Sequence, residues 1–430
     1  MSYRTYIQRC IRAECLAEYE LDARLYVCSR CGGLLDIERR EEITSGSLRK
    51  LWLGRRASLD PRDRSGVWRF RELLPFAEDA EVVSLGEGNT PLYDAPRSAD
   101  YCRLPQLKLK HQGCNPTGSF KDTGMTVAVT QARKLGARLV VCASTGNTAA
   151  SLAAYAARAE LQCAIIVPAG QVSGAKVAQA LDYGATVLEI DGNFDASMNV
   201  IRELAEDESI YLVNSINPFR IEGQKTVAFE LAEQLGWRVP DHLVLPGGNL
   251  GNSSAFGKGF RELLSSGLID KQPKITVVQA EGAAPFARFY SDEEHSEFVN
   301  EEHPKTLASA IKIGAPVSWQ KAWRAVHETG GSVITVTEQE IADAKAVIGR
   351  DGIGCEPASA TTVAGIRKLG IKENESTVAV LTGHVLKDTD YVIKYHNQSL
   401  TDPDGRKLES RFANAPIRVA ASADAIRQIL

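Results

Sequence analysis

Leu139-Val140-Val141-Cys142-Ala143-Ser144-Thr145-Gly146-Asn147-Thr148-Ala149-Ala150-Ser151-Leu152-Ala153-Ala154-Tyr155-Ala156-Ala157 contains no charged side chain. At this length it has nearly the reach of a membrane span. Its middle, however, is Ser144 to Thr148, a run of hydroxyls, a glycine and an amide. A short buried strand, a polar turn and an Ala-rich helix from Ala149 to Arg158 fit that order better than a membrane helix does. The same grammar continues on the C-terminal side. Cys163–Val167 is a second apolar run, stopped by Pro168, and a helix over Gly174–Tyr183 is closed by Gly184. Ala185–Ile190 is a third run, Ala196–Glu206 an amphipathic helix, and Ile210–Val213 a fourth run. Apolar strands separated by helices predict βαβ units and a parallel sheet covered on both faces. The pattern resumes at His242–Leu245, Ile275–Val278 and Thr377–Leu381, which implies a second α/β layer system. Ligands in such folds sit beyond the carboxyl ends of the strands.

Composition bounds the function. The chain has 430 residues, 44% hydrophobic and 24% charged, which excludes wholesale disorder and suggests two or three domains. The net charge of −4 argues against a protein that coats nucleic acid, since such binding needs an excess of Lys and Arg. No secretory signal is visible behind Met1–Cys10, so the chain reads as cytoplasmic. The nine cysteines, an odd number, point to reduced thiols rather than a disulfide framework.

The first seventy residues stand apart, with fourteen Lys and Arg against ten Asp and Glu. Cys10-x4-Cys15 and Cys28-x2-Cys31-Gly32-Gly33 have the look of two knuckles of a small ribbon. Four thiolates at these spacings can close a tetrahedral zinc site and so stabilise a segment too short for its own core. A reduced, metal-free remnant, or four unrelated thiols, are the other readings. The boundaries that follow are a cysteine ribbon at 1–45, a charged linker at 46–83, an α/β domain at 84–235, a larger α/β domain at 236–395 and a tail at 396–430.

Four clusters carry chemistry. Asn115-Pro116-Thr117-Gly118-Ser119-Phe120-Lys121-Asp122 places a lysine at a loop-to-helix junction, as a phosphate binder or a Schiff-base former; the Walker A spacing is absent. Ser144 to Thr148 offers hydroxyls and helix N-terminal N–H groups to an anion. Pro246-Gly247-Gly248-Asn249-Leu250-Gly251-Asn252 follows a strand and lets backbone N–H groups close on a phosphate; it is not GxGxxG, and no acidic residue lies at the distance a ribose would need. Leu381-Thr382-Gly383-His384 ends another apolar strand. A lone His beside a glycine turn is more often structural, so His384 is not assigned to catalysis.

The order of these clusters, together with Ser84-Leu85-Gly86-Glu87-Gly88-Asn89-Thr90-Pro91-Leu92, Asn214 to Lys225 and Cys355-Glu356-Pro357-Ala358-Ser359, resembles the fold type II enzymes that use pyridoxal 5′-phosphate, and within them the threonine synthase family. The resemblance spans about Ser84 to Asp388, and some members carry a similar cysteine ribbon. It implies a tryptophan-synthase-β-like fold with two three-layer parallel-sheet domains. Lys121 would hold the cofactor as a Schiff base and act as the catalytic base. Asn147 would bond the ring hydroxyl, Gly248, Asn249, Leu250, Gly251 and Asn252 would wrap its phosphate, and Thr382 would face the ring nitrogen. A neutral hydroxyl there implies a weaker electron sink than a carboxylate would give. Ser144, Thr148, Lys176, Asn214, Ser215 and Arg220 would bind the substrate, with Lys176 and Arg220 gripping its phosphate. The implied reaction turns O-phospho-L-homoserine and water into L-threonine and phosphate, in a homodimer. Cysteate synthase or threonine dehydratase activity, or an idle cofactor-binding homologue, are the alternatives that the residues leave open.

Overall fold

The opening stretch folds as its pattern predicts, into a strand at Leu139–Ala143 and a helix at Asn147–Arg158. In the computed structural model, residues 5–430 are described apart from 42–44, 145, 170–173, 192–199, 202, 205, 293, 295 and 296; the side chains of residues 45 and 174–176 are also outside the described set. Most of the helix expected over Ala196–Glu206 therefore lies outside the described residues, as does Thr145 of the polar turn.

Thirteen described strands form three sheets. They are β1 (Tyr6–Cys10), β2 (Glu18–Glu20), β3 (Leu35–Arg39), β4 (Leu92–Asp94), β5 (Leu107–His111), β6 (Leu139–Ala143), β7 (Gln162–Pro168), β8 (Thr186–Ile190), β9 (Ile210–Leu212), β10 (His242–Pro246), β11 (Lys274–Ala280), β12 (Ser332–Val336) and β13 (Thr377–Leu381). The four-stranded sheet has order β8-β7-β6-β9 and is parallel throughout, with Val140 opposite both Cys163 and Tyr211. The six-stranded sheet has order β12-β11-β10-β13-β5-β4, parallel except for β4, which runs antiparallel at the edge. β4 and β5 thus belong to the same sheet as strands that follow residue 236, although the four-stranded sheet separates them in the chain. The Leu381↔His111 pairing places Thr382 next to the segment that leads to Lys121.

In the two larger sheets the inner strands β6, β7, β10, β11 and β13 are buried beneath helices, which is why they read as largely apolar runs. Val140, Cys142, Ile165 and Val167 pack with Ala149, Leu152 and Tyr155 in one core. Leu243, Leu245, Ile275 and Val277 pack with Phe256, Phe260 and Phe229 in another.

Residues 46–83 are more than a spacer. Leu48–Arg55 is helical, Trp68–Leu73 is a 3₁₀ stretch, and Trp52, Trp68 and Phe70 are fully buried. The Trp52 ring meets Phe70 edge-on at 5.0 Å, and Phe70 meets Phe229 at 5.6 Å, so the segment is stapled to the Pro218–Gln234 helix. In the tail, Leu400 and Leu408 pack with Tyr391 and Tyr395, whereas residues 415–430 are almost wholly exposed.

The antiparallel sheet β2-β1-β3 carries the four early cysteines. Beneath it lies a buried network of charges. Asp36 pairs with Lys258 at 3.1 Å, Lys258 also pairs with Glu222, and Lys225 bridges Glu222 at 2.6 Å and Glu262 at 2.8 Å.

Candidate active site

The site is built from loops at the carboxyl ends of β5, β6, β9, β10 and β13. Lys121 is the first residue of the helix Lys121–Lys134. The loop before it is fixed from two sides. Asp122 accepts from Thr117 N at 2.7 Å, Thr117 Oγ1 at 2.6 Å and Ser151 Oγ at 2.6 Å, tying the loop to the Asn147–Arg158 helix. Phe120 N donates to Thr382 O at 2.8 Å and His384 N donates to Gly118 O at 2.9 Å, tying it to the end of β13. Gly118 has φ +84°, and a side chain there would sit 3.0 Å from Lys387. Lys121 Nζ lies over the Phe120 ring, 4.1 Å from its centre. Burial first, and the Arg220 charge second, lower the Lys121 pKa to about 7, with Glu356 opposing. Near neutral pH a large fraction of this amine is therefore unprotonated.

Asn147 Nδ2 donates to Glu356 Oε2 at 3.0 Å, and Thr382 Oγ1 donates to Glu356 Oε1 at 3.3 Å. Thr382 Oγ1 is also 3.1 Å from Ser359 Oγ, which accepts from Thr382 N at 2.8 Å and Gly383 N at 3.1 Å. The sequence assigns no role to Glu356 or Ser359. The signal available in the sequence is a glutamate just before a proline that opens a helix; the structure adds that it makes no cap bond.

The glycine-rich loop turns tightly from β10 into the helix Gly251–Ser265. Gly247 and Gly248 are needed as such: a Cβ would sit 2.6 Å from Val277 Cγ1 at the first and 3.2 Å from Ala310 O at the second. Leu250 takes φ +64°, an unusual conformation for a branched side chain, and caps the helix without a side-chain bond. The first N–H groups of a 15-residue helix thus face the loop. Asn249 anchors the turn through its side chain, accepting from Val317 N at 2.7 Å and donating to Ser215 Oγ at 2.9 Å. Asn252 Nδ2 donates to Gln112 Oε1 at 3.2 Å, while Asn252 Oδ1, Ser253 Oγ and Gln112 Nε2 are buried with no partner among the described residues.

Arg220, in the first turn of the Pro218–Gln234 helix, is 4% exposed. The one hydrogen bond described for its guanidinium is Nη1 to Val213 O at 3.4 Å, its Nε has no partner, and no carboxylate pairs with it among the described residues. Burial pulls its pKa down to about 10, which leaves it charged at neutral pH. Asn214 lies nearby, its carboxamide bonded to both backbone groups of Ala143, N at 3.1 Å and O at 3.3 Å. Ser144 Oγ accepts from Gly146 N at 3.3 Å, and Thr148 is half-buried on the same turn. Lys176 is in the Gly174–Asp182 helix, and its side chain is outside the described residues. His384 is partly exposed and stacks on His111 at 6.2 Å.

The sulfurs of Cys10, Cys15, Cys28 and Cys31 all lie within 4.8 Å of one another. Cys10 and Cys31 approach to 3.5 Å, and Cys15 and Cys28 to 3.6 Å.

A profile described as pyridoxal-phosphate dependent enzyme matches residues 83–383. Threonine synthase of Methanosarcina acetivorans is 47% identical over 393 residues, 90% of this chain and 94% of that protein. Threonine synthase of Methanocaldococcus jannaschii is 44% identical over 398 residues, again 90% and 94%. Among solved structures, threonine synthase from Escherichia coli superposes with TM-score 0.69 over 98% of this chain and 99% of that one, at 17% identity. The processed threonine deaminase isoform 2 of Solanum lycopersicum reaches 0.60 over 80% and 86%, at 19% identity. At such identities these two likenesses speak for the fold.

Proposed function

The chain belongs to the pyridoxal-phosphate-dependent enzymes, and within them to the threonine synthases, and from that membership we propose which of its groups act as O-phospho-L-homoserine and water become L-threonine and phosphate. The residues present fit the cofactor. Glycines open the loop at Gly247 and Gly248, Ser253 Oγ and Gln112 Nε2 are buried donors without a partner among the described residues beside a helix start, and burial lowers the pKa of the Lys121 amine to about 7. When bound at Lys121, pyridoxal 5′-phosphate supplies an electron sink for the carbon that bears the substrate's amino group.

The observation that carries the assignment is Arg220, a buried cation with no carboxylate partner among the described residues. Such a charge is costly unless an anion answers it. In this reading the substrate phosphate does so, with Ser144, Thr148, Lys176, Asn214 and Ser215 around it. An enzyme for unphosphorylated serine or threonine would offer that cation only the substrate's carboxylate. Asn147 and Thr382 orient the cofactor ring, and Gly248 to Asn252 hold its phosphate, chiefly by backbone N–H. Lys121 Nζ takes the proton from the α-carbon and returns it once water has added at the β-carbon; its lowered pKa keeps the amine available as a base. Closure of one sheet domain on the other would exclude water until the phosphate has left.

The test is phosphate release across a panel of phosphorylated amino acids. Turnover of O-phospho-L-homoserine with a 1:1 yield of threonine supports the assignment. Sulfite-dependent turnover of O-phosphoserine instead would assign cysteate synthesis, and cofactor binding without turnover an idle homologue.

The four clustered thiols support a structural zinc ion in the ribbon, which metal analysis of the purified protein would detect as one zinc per chain. The family resemblance further supports a cytoplasmic homodimer, which sedimentation would measure; no described helix is long and apolar enough to cross a membrane.

A further inference from the structure

Glu356 occupies a position where a side chain ordinarily turns back to cap its own helix, yet its carboxylate points into the active site. It is 4% exposed, and no salt bridge reaches it among the described residues. Lys121, Lys387 and the Cys355 thiol are its titratable neighbours; the two lysines act through space, and Lys387 donates to Gln179 Oε1. Gly383 makes the arrangement feasible, because a Cβ at that position would overlap the carboxyl group. Glu356 therefore bonds both residues proposed to flank the cofactor ring, Asn147 on the hydroxyl side and Thr382 at the nitrogen.

The hydrogen-bond inventory then restricts the protons. Ser359 Oγ already accepts two backbone N–H bonds, from Thr382 and Gly383, so its two lone pairs are used. In its 3.1 Å contact with Thr382 Oγ1, Ser359 must be the donor. Thr382 is left with one proton and one lone pair, and two neighbours to satisfy: Glu356 Oε1 and the group in front of it.

We infer that Glu356 and the ring nitrogen share a single proton through the Thr382 hydroxyl, which makes Glu356 a positioning residue for the ring's electronic state. In one arrangement the ionised carboxylate accepts from Thr382, and Thr382 Oγ1 accepts from a protonated ring nitrogen. In the other, the carboxyl group donates to Thr382 Oγ1 and Thr382 donates to the bare nitrogen. Passing from the second to the first breaks the Glu356 O–H and the old Thr382 O–H bonds. It forms a new Thr382 O–H bond and a ring N–H bond, with no change in net charge. Burial of the carboxyl group raises its proton affinity, so the proton is available to be shared. This modifies the expectation of a weak electron sink from a lone threonine, because a carboxylate stands directly behind the hydroxyl. The inference rests on the reading of Thr382 as the residue facing the ring nitrogen.

The experiment loads the protein with pyridoxal 5′-phosphate carrying ¹⁵N in the ring and records the nitrogen resonance at neutral pH. The unmodified protein should show a resonance displaced toward protonated pyridine. Glu356→Gln and Thr382→Val should both return it to the neutral-pyridine position, and Thr382→Ser should keep it where the unmodified protein has it. Identical resonances in the unmodified protein and Glu356→Gln would overturn the relay. So would a Thr382→Val resonance that stays displaced toward protonated pyridine. If Glu356→Gln does not hold the cofactor, the Ser and Val pair at 382 decides alone. The visible absorbance that depends on Lys121 serves as the control for loading: its absence in the unmodified protein would count against the cofactor site itself, and its presence with no displacement against the relay only.

Discussion

Asn249 Nδ2 donates to Ser215 Oγ at 2.9 Å, joining the loop proposed for the cofactor phosphate to the turn proposed for the substrate phosphate. The same amide accepts from Val317 N at 2.7 Å, so one side chain holds three segments. Removing it with Asn249→Ala deletes two part-buried hydrogen bonds, each contributing about 1 kcal/mol, and frees Leu250 to leave its left-handed conformation. Cofactor affinity should fall by roughly tenfold or more, with a rise in substrate KM. Ser215→Ala keeps the Val317 bond and should raise KM with little effect on cofactor affinity. Titration of the visible cofactor band and initial-rate kinetics separate the two; equal effects from both variants would count against the coupling.

The pKa of about 7 at Lys121 has a kinetic consequence. Capture of the free cofactor needs the neutral amine, so its rate constant should rise through pH ~7 and level off above it. The signs of the neighbouring charges then predict opposite displacements. Arg220 lowers the pKa, so Arg220→Met should move the midpoint to higher pH. Glu356 raises it, so Glu356→Gln should move the midpoint lower. Stopped-flow measurement of cofactor binding against pH checks both, and a common direction of shift would contradict the arrangement of charges.

Arg220 also predicts selectivity. A charge-assisted hydrogen bond contributes about 1.5–3 kcal/mol, so Arg220→Ala should lower kcat/KM for O-phospho-L-homoserine by roughly 10- to 100-fold. Binding of the cofactor, for whose phosphate the separate Gly248–Asn252 loop is proposed, should change far less. Lysine at 220 keeps a positive charge but loses the planar fork and should recover only part of the loss. Comparable losses in cofactor affinity and in kcat/KM would place Arg220 at the wrong phosphate.

What could be read from the chain was what repeats locally. β6, β7, β10 and β13 are uninterrupted apolar runs, and the turn from β6 into the Asn147–Arg158 helix is carried by adjacent residues. The reach of β5 into the six-stranded sheet was not readable, because its partner β13 lies some 270 residues away and pairing leaves no local pattern. Residues 46–83 read as a linker because their buried rings, Trp52, Trp68 and Phe70, are spaced irregularly among charges. Arg55, one of those charges, is itself buried against Glu72 and Asp63. In the proposed site, Lys121, Asn147, Thr382 and Arg220 stand out in the sequence because each lies in a dense motif. Glu356 could not be given a role, since its partners Asn147 and Thr382 come from other segments and only folding brings the three together.

The charges beneath the ribbon predict how the N-terminal sheet is held to the body. Burial pushes the Asp36 carboxyl pKa up, but Lys258, Lys321 and Arg261 outweigh it and hold the group well below the ordinary carboxylate range. A depressed folded-state pKa stabilises the protein above the unfolded value of about 4, and that contribution is lost progressively as pH falls below it. Asp36→Asn removes one anion from a buried network and leaves Lys258 with Glu222 and the Ile37 carbonyl. A loss of about 3 kcal/mol is expected at pH 7, where breaking one side of a buried pair strands the other charge. The gap between the two proteins should narrow as the pH is lowered toward 3, because Asp36 of the unfolded chain then takes up a proton that folding must expel, while the folded carboxylate stays ionised. Replacing both partners, as Asp36→Asn with Lys258→Met, should recover part of the loss, since Lys258 is then no longer stranded, whereas Lys321, 3.6 Å from Asp36, still loses its partner. Urea melts of the three proteins at several pH values read this directly. A gap that stays constant from pH 7 to pH 3 would show that Asp36 acts through its shape rather than its charge.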